Sequence, residues 1–289
     1  FSIASPPVYS VTNIELPLPP DLTPKDRAGL QELAARVGDL TAAGKRTDNA
    51  TLYRFLKARK GDVAAAEAYF RKSRSFREEL KTDEMDTHWN LEAYERLFAP
   101  WWCRGGLVGT GLNGQPVGLE RLGRSRFPEI LAKVPWDVIQ RLDALFIVRL
   151  LAAFEEDAMA RGRPLGGNTL ILDLEGMSMD FCKLHNARSY GKLIENRDML
   201  LPCTIGNILV IRAPKFFSLA WRLAGSFIDD TTREKVQVAS SAADSLALMR
   251  KFVSDDVIPA YLGGRLHIEG DPDCRLLLGT SSLDPIPDE

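Results

Sequence analysis

Polar and apolar positions change period several times along this chain, and each change marks an element. Residues 208–211 form a β-branched apolar run of strand length, and Pro214 stops it. Beyond it Phe216, Ala220, Leu223 and Phe227 recur at helical spacing, as do Phe217, Trp221, Ala224 and Ile228. Only Lys215, Ser218, Arg222 and Ser226 form a polar strip, so this helix is either buried or covers something apolar. Asp229 and Asp230 then open a charged segment suited to capping another helix. Upstream, Pro135-Trp136 opens a long helix that runs to about residue 160. Val138, Ile139, Leu142, Leu145, Phe146, Leu150 and Phe154 cover nearly its whole circumference, which predicts burial.

The remaining elements follow from the same signals. Thr23-Pro24 caps a helix carrying Leu30, Leu33 and Val37 on one face. Residues 49–80 read as two helices, separated by Gly61 and restarted by Asp62. Leu52, Phe55 and Leu56 face inward in the first, with Lys57, Arg59 and Lys60 clustered at its end. Val63, Ala66, Phe70 and Arg74 keep helical spacing in the second. Residues 107–110 and 117–122 read as paired strands around the Asn113-Gly114 turn. A short helix over 127–134, a buried strand from Thr169 to the glycine at 176, a polar helix over 185–200 and a helix over 240–253 complete the series. Strands alternating with helices predict an α/β fold with a mainly parallel sheet covered by helices. The expected organisation is an extended Pro-rich arm (1–23), an N-terminal helical module (24–90), a main domain (91–270) and a tail (271–289).

Composition narrows the function. With 289 residues, 26% charged residues and a net charge of -2, the chain is ordinary for a globular protein, and nucleic acid is not expected as a partner. Cys103, Cys182, Cys203 and Cys274 are scattered and read as reduced thiols of a cytoplasmic protein. No secretory signal is read, and the longest apolar run is interrupted by Arg149.

Several strings carry a resemblance. They are Leu-Tyr-Arg-Phe-Leu-Lys-Ala-Arg-Lys-Gly-Asp-Val at 52–63, Asp-Leu-Glu-Gly at 173–176, and Val-Ile-Arg-Ala-Pro-Lys-Phe-Phe at 210–217. Phe-Ile-Asp-Asp-Thr-Thr-Arg-Glu-Lys at 227–235 and Ile-Pro-Ala-Tyr-Leu-Gly-Gly at 258–264 follow in order. Together they resemble the CRAL-TRIO lipid-binding family, which includes phosphatidylinositol/phosphatidylcholine-transfer and tocopherol-transfer proteins. The match is nearest to the supernatant-protein-factor branch. The resemblance covers roughly residues 25–270. It implies that one face of the sheet floors an apolar cavity closed by a gate helix that opens at a membrane.

On that resemblance the ligand is a hydrophobic small molecule or lipid, exchanged during transient association with a membrane surface, with no cofactor. It would be held by Leu170, Leu172, Ile208 and Val210 on two strands and by Phe146, Leu150 and Phe154 on the long helix. Leu193 and Cys203 would add a further wall, and Phe217, Leu219, Trp221 and Phe227 the gate. Lys60, Thr232 and Lys235 match the headgroup positions of the phosphatidylinositol branch. Cys203 stands where that branch has a glutamate. A thiol does not accept inositol hydroxyls as a carboxylate would, which turns the expectation toward an apolar ligand such as an isoprenoid. Gly225-Ser-Phe227 replaces the usual Lys-Pro-Phe at the end of the gate and should loosen that hinge.

Other signals have plainer readings. Gly109-Thr-Gly-Leu-Asn-Gly114 is a literal GxGxxG, but a strand follows it where a dinucleotide site needs a helix, so it reads as a hairpin turn. Asp173 and Glu175 share one strand face, opposite Leu170, Leu172 and Leu174, and read as structural acids rather than a catalytic pair. His88, His185 and His267 lack ligand spacing, so no metal site is expected, and no nucleophile elbow is visible. Two alternatives to a carrier stay open. A closed apolar cavity can fold a reactive hydrophobic substrate for cyclisation or rearrangement, or the protein can be a ligand-sensing module for a protein partner that the sequence does not name.

Overall fold

Side-chain caps set the starts of the first helices. In the computed structural model, which describes residues 12–84, 102, 106–224, 230–272 and 274, Thr23 and Asp26 form a reciprocal capping box at the start of α1 (Pro24–Arg36). A short helix, α2 (Gly38–Ala42), follows. Asp48 caps α3 (Asn49–Ala58), accepting from the Thr51 amide at 2.8 Å, and Asp62 caps α4 (Val63–Leu80), accepting from the Ala65 amide at 2.9 Å. The predicted apolar faces meet: Leu33, Leu52, Phe55, Leu56 and Phe70 share one core. The outer part of the expected arm, residues 85–101, Phe227 and most of the tail lie outside the described residues.

The expected hairpin is present as β1 (Gly106–Thr110) and β2 (Pro116–Glu120), paired antiparallel around a turn where Gly114 has φ +76°. After α5 (Phe127–Lys133) comes the long helix α6 (Trp136–Ala160), then β3 (Asn168–Asp173), α7 (Leu184–Leu200) and β4 (Ile205–Ile211). The chain continues through α8 (Phe217–Ala224), α9 (Asp230–Arg233), β5 (Val236–Val238) and α10 (Ala242–Met249). The strands form one five-stranded sheet in the order β1-β2-β3-β4-β5, and every pair but the first is parallel. The short strand β5 carries no sequence signal of its own. The helix expected over 240–253 ends at Met249, where the chain turns and the Phe252 carbonyl accepts from the Leu112 amide at 2.8 Å.

Alternation along the strands divides the interior in two. Ile171, Leu209 and Ile211 point to the face covered by α10, and they pack with Met249, Val253, Ile258 and Leu262. Leu172, Ile208 and Val210 point to the other face, toward α6 and α7. The closing Gly-Gly pair has a steric reason on the covered side. A Cβ at Gly264 would lie 2.0 Å from the Ile258 carbonyl oxygen, and Gly263 has φ +91°.

Buried ion pairs and caps join the N-terminal helices to the α/β layers. The Arg46 guanidinium donates to Glu155 on α6 at 2.7 and 3.0 Å and to Asp48 at 2.7 Å, all nearly inaccessible to water. Ser73 and Arg77 on α4 donate to the Met199 and Leu200 carbonyls, at 2.7 and 3.2 Å, satisfying the end of α7.

Candidate functional site

A cavity of about 650 Å³ lies between the α6/α7 face of the sheet and the helices. Its floor follows from strand register. Gly118, Leu170, Ile208 and Val236 are cross-strand neighbours in one row, and Glu120, Leu172 and Val210 in the next. Phe146, Leu150 and Phe154 recur at helical spacing along α6 and form a wall. Phe217 and Trp221, one turn apart on α8, add another, with ring centroids 6.0 Å apart. On the outer side of that helix Ser218 and Arg222 are exposed, and α8 packs against α7 and the turn at Met179–Cys182.

Other residues read from the sequence fall in different places. Cys203 lines the cavity at φ +53°, and Thr232 and Lys235 stand at its edge. The Lys235 ammonium donates to the Ile205 carbonyl at 2.9 Å, so part of its hydrogen-bonding capacity is already used. Leu193 is fully buried in the core and Lys60 is exposed in the turn before α4; neither lines the cavity. The cavity cation from that turn is Arg59, whose guanidinium stacks 3.5 Å over the Tyr69 ring. Tyr69 in turn hydrogen-bonds Asp198, and burial together with that carboxylate pushes its phenol far above the ordinary range. The Leu219 side chain and Phe227 are outside the described residues. Asp173 and Glu175 are both ion-paired with Arg212, a structural use that leaves them turned from the cavity.

Sequence reasoning missed a polar group in the wall. Arg197 projects from α7 between Asp143 of α6 and Glu120 of β2. Its Nε–H donates to both Asp143 oxygens at 3.1 Å, and one Nη2–H donates to Asp143 Oδ1 at 2.8 Å. One Nη1–H reaches Glu120 Oε2 at 3.4 Å, and Trp102 Nε1 donates to Glu120 Oε1 at 3.3 Å. Tyr190 lies against Arg197, 5.6 Å from ring centroid to guanidinium. Glu120, Tyr190 and Arg197 all line the cavity. Burial pulls the Arg197 guanidinium down, but Asp143 and Glu120 more than offset this and hold it charged. Burial, and then the Glu120 charge, push the Tyr190 phenol far up, so it remains an O–H donor. One signal was available: Tyr190, Leu193 and Arg197 share a helical face, which puts a charge in an otherwise inward-facing stripe.

Comparison with known proteins agrees with this architecture. The model of the CRAL/TRIO domain matches residues 105–264. Protein real-time of Aedes aegypti is 26% identical over 246 residues, covering 84% of this chain and 37% of that protein. Protein real-time of Drosophila melanogaster is 28% identical over 247 residues, covering 84% and 36%. The CRAL-TRIO domain-containing protein T23G5.2 of Caenorhabditis elegans is 29% identical over 222 residues, covering 76% and 30%. The chain thus spans about a third of the length of the curated relatives it matches. The crystal structure of Sfh5 shares the fold, with a TM-score of 0.51 at 14% identity over 78% of this chain and 84% of that one. No helix among the described residues is long and apolar enough to cross a membrane.

Proposed function

We propose, from the premise that this chain belongs to the CRAL/TRIO domain family, that it binds one hydrophobic ligand in its cavity and transfers or presents it at membranes. The observation that carries this is the pair of adjacent rows in which the aliphatic residues Leu170, Ile208 and Leu172 stay only half-buried and line about 650 Å³ of space. That volume lies within the range of about 300–1,000 Å³ that small-molecule sites occupy. Burying a methylene contributes about 0.8 kcal/mol, so ten contribute on the order of 8 kcal/mol. One neutral hydrogen bond contributes about 1 kcal/mol. The apolar body of the ligand therefore supplies affinity, and the polar residues choose between ligands.

In this reading α8 is the gate. Phe217 and Trp221 turn inward while Ser218 and Arg222 face out, so one short amphipathic element separates the ligand from solvent. A bilayer offers the inner face of α8 an apolar alternative, which lowers the cost of swinging it away. Leu219 and Phe227 belong to the same proposed gate. Thr232 and Lys235, with Arg59 in place of Lys60, are the proposed contacts for a polar end near the edge.

Native mass spectrometry of the purified protein, with extraction and identification of whatever is bound, tests occupancy. Vesicle-to-vesicle transfer by wild type and by Leu172→Trp and Phe217→Asp tests the route. Both variants should remain folded and lose most transfer. Transfer equal to wild type by both folded variants would sink the proposal.

A further inference from the structure

We infer that Arg212 anchors a fixed post from which the gate hangs, so that α8 swings about residues 214–216 while the backbone through Ala213 stays with the sheet. The inference rests on the gate reading above and specifies how that gate is held.

The backbone leads to it. Arg212 follows β4 directly and has φ +49°, a left-handed conformation that a side chain with a Cβ disfavours. Such a residue persists where its surroundings over-determine it, and here they do. Its Nε–H donates to Asp173 Oδ1 at 3.0 Å, and its two Nη groups donate to Asp173 Oδ2 and to Glu175. Its backbone N–H donates to Ser245 Oγ of α10 at 3.0 Å, and that hydroxyl donates on to the Ser241 carbonyl at 2.6 Å. The guanidinium lies 5.4 Å from the Tyr261 ring centroid, Arg121 lies 4.3 Å from the same centroid, and the Tyr261 hydroxyl reaches Asp173 at 3.4 Å. The ends of β2, β3 and β4 are thus tied to α10 and to the closing segment. Three of the motif strings meet here: Asp-Leu-Glu-Gly supplies Asp173 and Glu175, Arg-Ala-Pro supplies Arg212, and Pro-Ala-Tyr-Leu-Gly-Gly supplies Tyr261. None of Arg121, Asp173, Glu175, Arg212, Ser245 and Tyr261 lines the cavity, so the cluster acts on the gate and not on the ligand.

The clamp ends abruptly. The Ala213 amide donates to the Ala239 carbonyl at 3.1 Å, and the Ala239 amide to the Val210 carbonyl at 2.9 Å, so the chain is still tied to the sheet there. Pro214 has no N–H, and its carbonyl accepts from the Phe217 amide at 2.8 Å, a bond that belongs to the start of the gate itself. No backbone hydrogen bond among the described residues joins residues 214–216 to the sheet. The proline also restricts Ala213 before it, so a rotation of α8 is absorbed by ψ of Pro214 and by Lys215 and Phe216. A short helix swings as a lever only if its foot is fixed. With a loose foot the same motion would pull Val210, a floor residue of the cavity, out of the sheet.

Hydrogen exchange resolved to single amides by mass spectrometry, with and without phosphatidylcholine vesicles, tests this. In wild type, vesicles should speed exchange of the α8 amides at least about ten-fold while leaving the Arg212 and Ala213 amides unchanged. Arg212→Gly keeps the left-handed backbone and deletes the clamp. In that variant the α8 and Ala213 amides should exchange about ten-fold faster even without vesicles, so that vesicles add about three-fold or less. Glu175→Gln, at the exposed edge of the cluster, should change the response in the same direction by less, and it replaces Arg212→Gly if that variant fails to fold. A cluster that only stabilises the fold would lower the melting temperature without altering the vesicle response, so a folded Arg212→Gly with the wild-type response overturns the post. Wild-type protein in which Arg212 and Ala213 lose protection together with α8 overturns it as well, while leaving the gate reading intact. An α8 that vesicles leave fully protected overturns the gate reading, and the post with it.

Discussion

The two faces of the sheet are built from the same residues and end in different states. On the face under α10, Ile171, Leu209 and Ile211 are completely buried against aliphatic neighbours. On the other face, Leu170, Leu172 and Ile208, one residue away along the same strands, remain half-buried against open space. Strand pattern cannot account for this, since alternation assigns leucine, isoleucine and valine to both sides. The difference lies in what holds the opposing layer. Under the sheet, side chains interdigitate and the layer sits down on its floor. Above it, buried ion pairs take part of that role: Arg46 with Glu155 fixes α6, and Arg197 with Asp143 joins α6 to α7. A roof held by charge pairs can stand off its floor and leave room for a ligand, and its floor residues contribute less to stability than their type suggests.

Breaking the roof should have the largest effect. Glu155→Gln removes the charge of one of the two carboxylates that pair with the buried Arg46 guanidinium among the described residues and should cost about 3 kcal/mol, read as a lower urea midpoint at unchanged slope. A cost below about 1 kcal/mol would mean that packing rather than the pair positions α6. The next effect separates the two faces directly. Leu209→Ala should cost about 2–3 kcal/mol, the lower part of the range for a truncation that opens a void in a filled core. Leu172→Ala should cost only about 1 kcal/mol in ligand-free protein, because the half-buried side chain packs on one side and borders the cavity on the other. Equal costs would mean that the upper face is as well filled as the lower.

The smallest effect lies at the surface of the covered side. The hydrogen bonds from Arg250 hold the Asp255 carboxylate below its ordinary value of 3.8. A depressed folded-state pKa stabilises the fold above that ordinary value and loses its contribution as pH falls through the lowered one. Asp255→Asn should therefore unfold slightly earlier than wild type near neutral pH, with the gap closing in acid. A gap that widens in acid would contradict the assignment.

Local chemistry settled much of this protein. The caps at Thr23, Asp48 and Asp62, the start of α6 after Pro135, the Asn113-Gly114 hairpin and the inward faces of β3 and β4 follow from residues within a few positions of one another. Motif strings along the chain also pointed to the family and to many of the cavity residues. Only the tertiary structure decided which of two adjacent cations, Arg59 or Lys60, meets the cavity, and that Leu193 fills the core instead. The same holds for the short strand β5, which pairing with β4 creates, and for the meeting of Glu120, Asp143 and Arg197, contributed by three separate elements. The reason is physical. Periodicity tells a side chain which way to face, because backbone geometry is local. What stands opposite, whether another side chain, a charge or empty space, depends on how distant layers are held.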